Sequence, residues 1–158
     1  MNDKIGRYRA EIIRIAAGMG IGARTYATAG NLLRFVFPAR CGSSLLLMRF
    51  YIQRVETLLI HPAGVPRYCC RQVVARLIEL NACLDPEMHY GIGKSTGRLL
   101  FAAGYDLRKK NPEDDAGLDG FCCLLFKTAP ERLDRLNEEM ILAPADENSR
   151  IQNSPQIS

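Results

Sequence analysis

An α+β fold, with one antiparallel sheet flanked by helices in the order α-βββ-α-ββ-α, is predicted by three features of this chain. Apolar residues recur at spacings of three and four in three separated stretches, the period of an amphipathic helix. Between those stretches lie short aliphatic and β-branched runs bounded by Gly and Pro, as strands are. Three such runs separate the first two helical stretches and two separate the last pair, so hairpins join the strands.

Residues 4–19 place Ile5, Tyr8, Ile12, Ile15, Ala16 and Met19 on one helical face, with Asp3 as cap and Gly18 and Gly20 as stop. A linker runs from there to about Gly30. The run 32–37 alternates weakly and ends at Pro38; the run 45–53 follows the turn-rich stretch 38–43, and the two should pair antiparallel. Arg54 opens a third strand centred on 55–60 and stopped by Pro62-Ala63-Gly64. Residues 53–56 contain no Gly or Asn, which leaves open a tight turn of ordinary residues or one long bent strand. Pro66 suits the first turn of a second helix, continued by Cys70, Val73, Val74, Leu77 and Asn81 to about Cys83 and closed by Asp85-Pro86. Residues 89–93 and 98–105 read as a hairpin around Lys94-Ser95-Thr96-Gly97. Asn111-Pro112 and the acids Glu113-Asp114-Asp115 read as the start of the last helix, which Leu118, Phe121, Cys122, Leu125, Ala129, Leu133 and Leu136 carry to Met140. Pro130 deletes the bond to the Phe126 carbonyl, so a kink or a break into two helices with Thr128 as cap is expected.

At 158 residues and 47% hydrophobic, the chain can organise one core, and a single domain is expected over residues 1–142. From residue 143 the chain turns polar, contains Pro144 and Pro155, and reads as a disordered tail. No apolar run approaches the roughly 18 residues of a membrane span, and Arg7, Arg9, Glu11 and Arg14 break the N-terminal segment. A cytoplasmic protein without signal peptide or spanning helix is expected. Six cysteines, at 41, 69, 70, 83, 122 and 123, include two adjacent pairs inside amphipathic stretches, where thiols act as small buried hydrophobes. Free thiols are therefore expected. Neither C-x-x-C nor H-x-x-x-H spacing occurs, so no metal site and no cofactor are predicted.

Gly91-Ile92-Gly93-Lys94-Ser95 ends like a phosphate-binding loop, but Met88 stands where its first glycine belongs and the following segment reads as strand. His61, at a strand end before Pro62, reads as a surface imidazole, and neither it nor His89 has a catalytic motif around it. No catalytic residue is assigned and no enzyme is expected. The charge is split: residues 1–110 balance to +10 and residues 111–158 to −6. Nucleic-acid binding through Arg7, Arg9, Arg14 and Arg108-Lys109-Lys110 is an alternative, with steep salt dependence as its mark.

The run 45–52 is apolar on both faces of its strand. One face can pack on the chain's own helices; the other then needs a subunit, a bound peptide or the returning tail.

The element order resembles that of class I type III secretion chaperones and of the YbjN-like proteins that share their fold. Residues 73–84, with the leucine-asparagine pair Leu80-Asn81, resemble that family's second-helix ending, and residues 99–103 its following strand. The resemblance spans about residues 5–140 and implies a commonly dimeric protein that binds without catalysis. Its secretion chaperones hold an extended client segment on apolar patches of the first helix and sheet. A basic body and Pro130 depart from the secretion chaperones, which favours a YbjN-like accessory or regulatory protein over an effector chaperone. The residues expected to contact a client are Ile12, Ile15, Leu33, Phe35, Leu46, Met48 and Phe50. For a homodimer seam they are Val73, Leu77, Leu99 and Phe101.

Overall fold

Ile5, Tyr8, Ile12, Ile15 and Ala16 form the buried stripe of the first helix, α1 (Asp3–Gly18), in a computed structural model that describes residues 3–25, 31–107 and 112–142. The strands are β1 (Ala23–Thr25), β2 (Leu32–Ala39), β3 (Gly42–Phe50), β4 (Arg54–Gly64), β5 (Met88–Ile92) and β6 (Arg98–Asp106). A 3₁₀ turn (Arg67–Cys69) leads into the second helix, α2 (Cys70–Asn81), between β4 and β5. After a second 3₁₀ turn (Pro112–Asp114) come α3 (Ala116–Cys123), a π-helical stretch (Leu124–Thr128) and α4 (Ala129–Leu142). All neighbours in the sheet are antiparallel, in the order β1-β2-β3-β4-β6-β5. The α+β class and the order α-βββ-α-ββ-α are thus as predicted, with one short strand added at the edge.

That strand, β1, lies in the predicted linker and pairs Ala23 with Phe35 and Thr25 with Leu33. Three residues carry no periodicity; the free edge of β2 supplies their hydrogen-bond partners. The β2–β3 turn is also tighter than expected, because Ala39 already pairs with Gly42. Gly42 takes φ +149, and a Cβ there would meet the Pro62 ring at 3.1 Å. Pro38 sits inside β2 at a point where β1 no longer runs alongside, so its missing N–H interrupts no ladder on that side. Between β3 and β4 the open choice resolves to a tight turn of Tyr51, Ile52 and Gln53, closed by Tyr51 N donating to the Arg54 carbonyl at 2.7 Å.

Two further expectations are corrected. β4 does not stop before Pro62 but continues to Gly64 through a register shift, which carries His61 into the core. Pro130 does not break the last helix, and Thr128 caps nothing. Instead the turn before it widens: Ala129 N donates to the Leu124 carbonyl, five residues back. The wider π turn makes room for the proline ring next to the Phe126 carbonyl that an α turn would drive into it. Phe126 then reaches the sheet, edge-on to Phe35 at 4.9 Å and to Phe37 at 5.9 Å between ring centres.

The last helical run is capped by Asp115. Its carboxylate accepts from Gly117 N at 3.1 Å, from the Tyr8 hydroxyl of α1 at 2.9 Å and from the Tyr105 hydroxyl of β6. The cap predicted at Asn111 lies outside the described residues, as do Arg108-Lys109-Lys110 and the tail from 143.

Burial, the Asp115 hydrogen bond and its charge hold the Tyr8 and Tyr105 phenols well above their ordinary value of 10.0, and burial, then Asp119, pushes the Cys122 thiol up to about 12. The folded chain therefore keeps protons that the unfolded chain releases at its ordinary values, and stability falls as pH rises past them. The urea midpoint is expected to hold to about pH 8.5 and then drop steadily toward about pH 10.5, with Tyr8→Phe shrinking the drop. A flat midpoint across that range contradicts the assignment.

Candidate protein-docking face

Side chains alternate along each strand, so the register sorts the sheet into two faces. The row Phe35, Leu46, Leu59, Phe101, Tyr90 crosses five strands, and every member is buried. The next row on that face, Leu33, Met48, Thr57, Ala103, is buried too. The helices meet this face: Phe126 packs on Phe35 and Phe37, and Phe121 stacks on Tyr105 at 4.6 Å. Asp134 bonds His61 and Arg132 reaches the Tyr90 hydroxyl.

The opposite face has a different character. One row reads Val36, Leu45, Ile60, Leu100, Gly91; the adjacent one reads Arg34, Leu47, Leu58, Ala102, His89; a third reads Leu32, Arg49, Glu56, Gly104. On this face of β2–β6, among the described residues, only Gly104 is buried, and it lies beneath the Arg54 guanidinium. The aliphatic side chains at its centre stay half-exposed. Charges edge it unevenly. Arg34 and Arg49 lie on the β2–β3 side, and Glu56 and Glu87, both paired to Arg54, on the β4–β6 side.

All seven residues expected to contact a client fall on the helix side. Ile12 and Ile15 belong to the buried stripe of α1, and Leu33, Phe35, Leu46, Met48 and Phe50 form the floor beneath the helices. The four seam residues are buried as well: Val73 and Leu77 are the inward positions of α2, and Leu99 and Phe101 the inward positions of β6. In this fold these eleven side chains pack the core, and a partner approaching the same strands meets their alternates. Every Phe and Tyr of β2–β6 (Phe35, Phe37, Phe50, Tyr90, Phe101, Tyr105) lies on the covered face and none on the open one, a difference present in the sequence that period-two reasoning does not use. α2 carries a smaller apolar stripe, Val74 and Ile78, the latter 65% exposed.

Asn81 has a definite task. Its side chain donates to the Tyr90 carbonyl at 2.9 Å and accepts from Tyr90 N at 2.7 Å, closing the outer edge of β5 as a neighbouring strand would.

The nearest approach to a catalytic constellation is buried. His61 is 0% exposed, against the surface position expected for it. Its Nδ1 accepts from Ala63 N at 3.1 Å, so Nε2 carries the proton and donates to Asp134 Oδ1 at 2.7 Å. Ser44, on the same face and also buried, has no hydrogen-bond partner for its hydroxyl. Both ring nitrogens are engaged, and His61 and Ser44 are fully buried, so the His61–Asp134 pair fastens α4 to β4. His89 is exposed on the open face. Gly93 N and Gly97 N make the hairpin bonds of the β5–β6 turn, with Gly97 at φ +66, so the phosphate-loop lookalike is a turn. Among the described residues, no cluster of three His, Cys, Asp or Glu side chains is placed to hold a metal ion. All six cysteines are free thiols, Cys41 and Cys83 exposed.

No family model, curated protein or solved structure matches this chain. Among the described residues, no helix is long and apolar enough to cross a membrane.

Proposed function

We propose that this protein is a non-catalytic protein-binding module that uses the open face of its sheet, a YbjN-like accessory or regulatory protein in the class its element order resembles. The observation that carries this reading is the aliphatic centre Val36, Leu45, Leu47, Leu58, Ile60 and Leu100, continuous over four strands with no helix of the described residues seated on it. An apolar surface of that extent is stabilised when another polypeptide removes it from water, at roughly 25 cal/mol per Å². Support for the nucleic-acid alternative is weaker: Arg7 is ion-paired to Asp3 and Arg14 to Glu11 along the same helix. Among the described residues of β2–β6, the open face also carries no aromatic platform on which bases could stack.

A benzophenone amino acid placed at Leu58 in the full chain is expected to cross-link to polypeptide in cells. The same probe at Ile78 tests the rival stripe on α2. Cross-links from 78 and none from 58, or none from either, would overturn the proposal.

A further inference from the structure

We infer that the exposed ridge of α2 is covered by the chain's own segment 143–158, with Asp146 and Glu147 at Arg67 and Arg71 and Ile151 over Val74 and Ile78. This contact lies apart from the open face of the sheet, so the function proposed above stands or falls separately.

The ridge has an order along it. Arg67 stands in the 3₁₀ turn before α2 and Arg71 in its first turn, and Val74 and Ile78 follow at helical spacings of three and four. All four are exposed, Val74 by 45% and Ile78 by 65%, and Tyr68, 37% exposed, flanks the start. Two cations are thus succeeded by two aliphatic side chains on one side of the helix. Other arginines near α2 and α4 are paired: Arg76 holds Glu79 and Glu139, and Arg40 holds Glu138. Arg67 and Arg71 have no ionic partner among the described residues. α2 also has no acidic residue in its first turn and no side-chain cap, so its positive end favours carboxylates brought from elsewhere.

α4 delivers the following segment to that place. Arg132 reaches the hydroxyl of Tyr90, whose main chain Asn81 holds at the end of α2. Farther along, Glu139 pairs with Arg76, and Met140 lines a groove with Gln72 and Val73. The two helices therefore run antiparallel, and α4 ends at Leu142 level with the first turn of α2. Asp146 and Glu147 follow within about 13–17 Å of extended chain and Ile151 within about 30 Å, enough to round a helix about 10–12 Å across. Glu147 and Ile151 stand about 13 Å apart when extended, and Arg71 and Ile78 about 10 Å apart along the helix. The acids come first and the isoleucine second, the order in which the ridge offers cations and aliphatic side chains. A tether this short holds the segment at about millimolar effective concentration, where contacts too weak for a free peptide still form. The open face, with six aliphatic side chains at its centre, exceeds what Ile151 and Ile157 can cover.

A benzophenone amino acid at position 151 of the full chain, irradiated and mapped by mass spectrometry, tests this. Cross-links within one chain to residues 74–78 are expected. Arg67→Glu with Arg71→Glu should cut their yield at least about threefold, and adding Asp146→Arg with Glu147→Arg should restore it. Links to another part of the chain, links between two copies, no links, or a yield indifferent to the charge changes would each overturn the contact. Maleimide labelling of Ile78→Cys, scored at that position, gives an independent reading. Ile151→Asp should speed it at least about threefold by uncovering the ridge, and an unchanged rate refutes the inference.

Discussion

Phe50→Asp is expected to leave no folded protein, while Leu47→Asp, three residues away on the same strand, is expected to fold like the parent. Phe50 is 2% exposed on the helix side of β3, so the substitution removes a large aromatic from the core and puts a carboxylate there with no partner. Losing the ring alone costs about 3–5 kcal/mol, and an unpaired charge adds several more. Together these reach the roughly 5–15 kcal/mol that holds a domain of this size together. Leu47 points the other way and is half-exposed, so its carboxylate stays hydrated and the change should cost about 1 kcal/mol or less. Circular dichroism and urea titration of the two variants distinguish the faces directly. A Leu47→Asp variant less stable than Phe50→Asp would mean that the covered and open faces are interchanged, and equal stability would mean that the two faces are not distinguished as described.

Asp115→Ala should produce the second large loss. The residue is 4% exposed and joins three elements through one carboxylate: the first turn of α3, Tyr8 of α1 and Tyr105 of β6. Removing it costs about 1 kcal/mol for the cap and about 1–3 kcal/mol for each phenol left without an acceptor. The sum, about 3–7 kcal/mol, corresponds to a fall in melting temperature of about 10–20 °C for a chain of this length. Asp115→Asn keeps one acceptor oxygen and should lose roughly half as much. A drop of less than about 3 °C in Asp115→Ala would show that the two tyrosines find other partners and that the junction is not held by this carboxylate.

The sheet and helices were legible because each obeys a local rule. The α1 stripe at Ile5, Tyr8, Ile12 and Ile15 has one period, and the runs at 32–37, 55–60 and 98–105 are aliphatic between turn residues. Features that depend on a partner distant in sequence were not. β1 exists because β2 has an edge to pair with, and His61 is buried because Asp134, 73 residues away, accepts the hydrogen bond of its Nε2–H. The widened turn at Leu124–Thr128 combines a local obstacle, Pro130, with a distant reward, the seating of Phe126 between Phe35 and Phe37.

The candidate site divides along the same line. That strand β3 is apolar on both faces is a property of its residue order, and with it the expectation that one face would stay uncovered. Which face that is does not follow from alternation over 45–48, because Leu45 and Leu47 are as apolar as Leu46 and Met48 and shifting the parity by one exchanges them. Packing made the choice. The helices settled on the row holding Phe35, Leu46, Phe101 and Tyr90, where aromatic rings fill the volume between layers, and left Leu45, Leu47, Leu58 and Ile60 facing outward. Local periodicity and turn chemistry therefore determined the elements and their order, since those depend on neighbours along the chain. The identity of the exposed surface depends on which side chains best fill a shared interior, and only the assembled layers decide that.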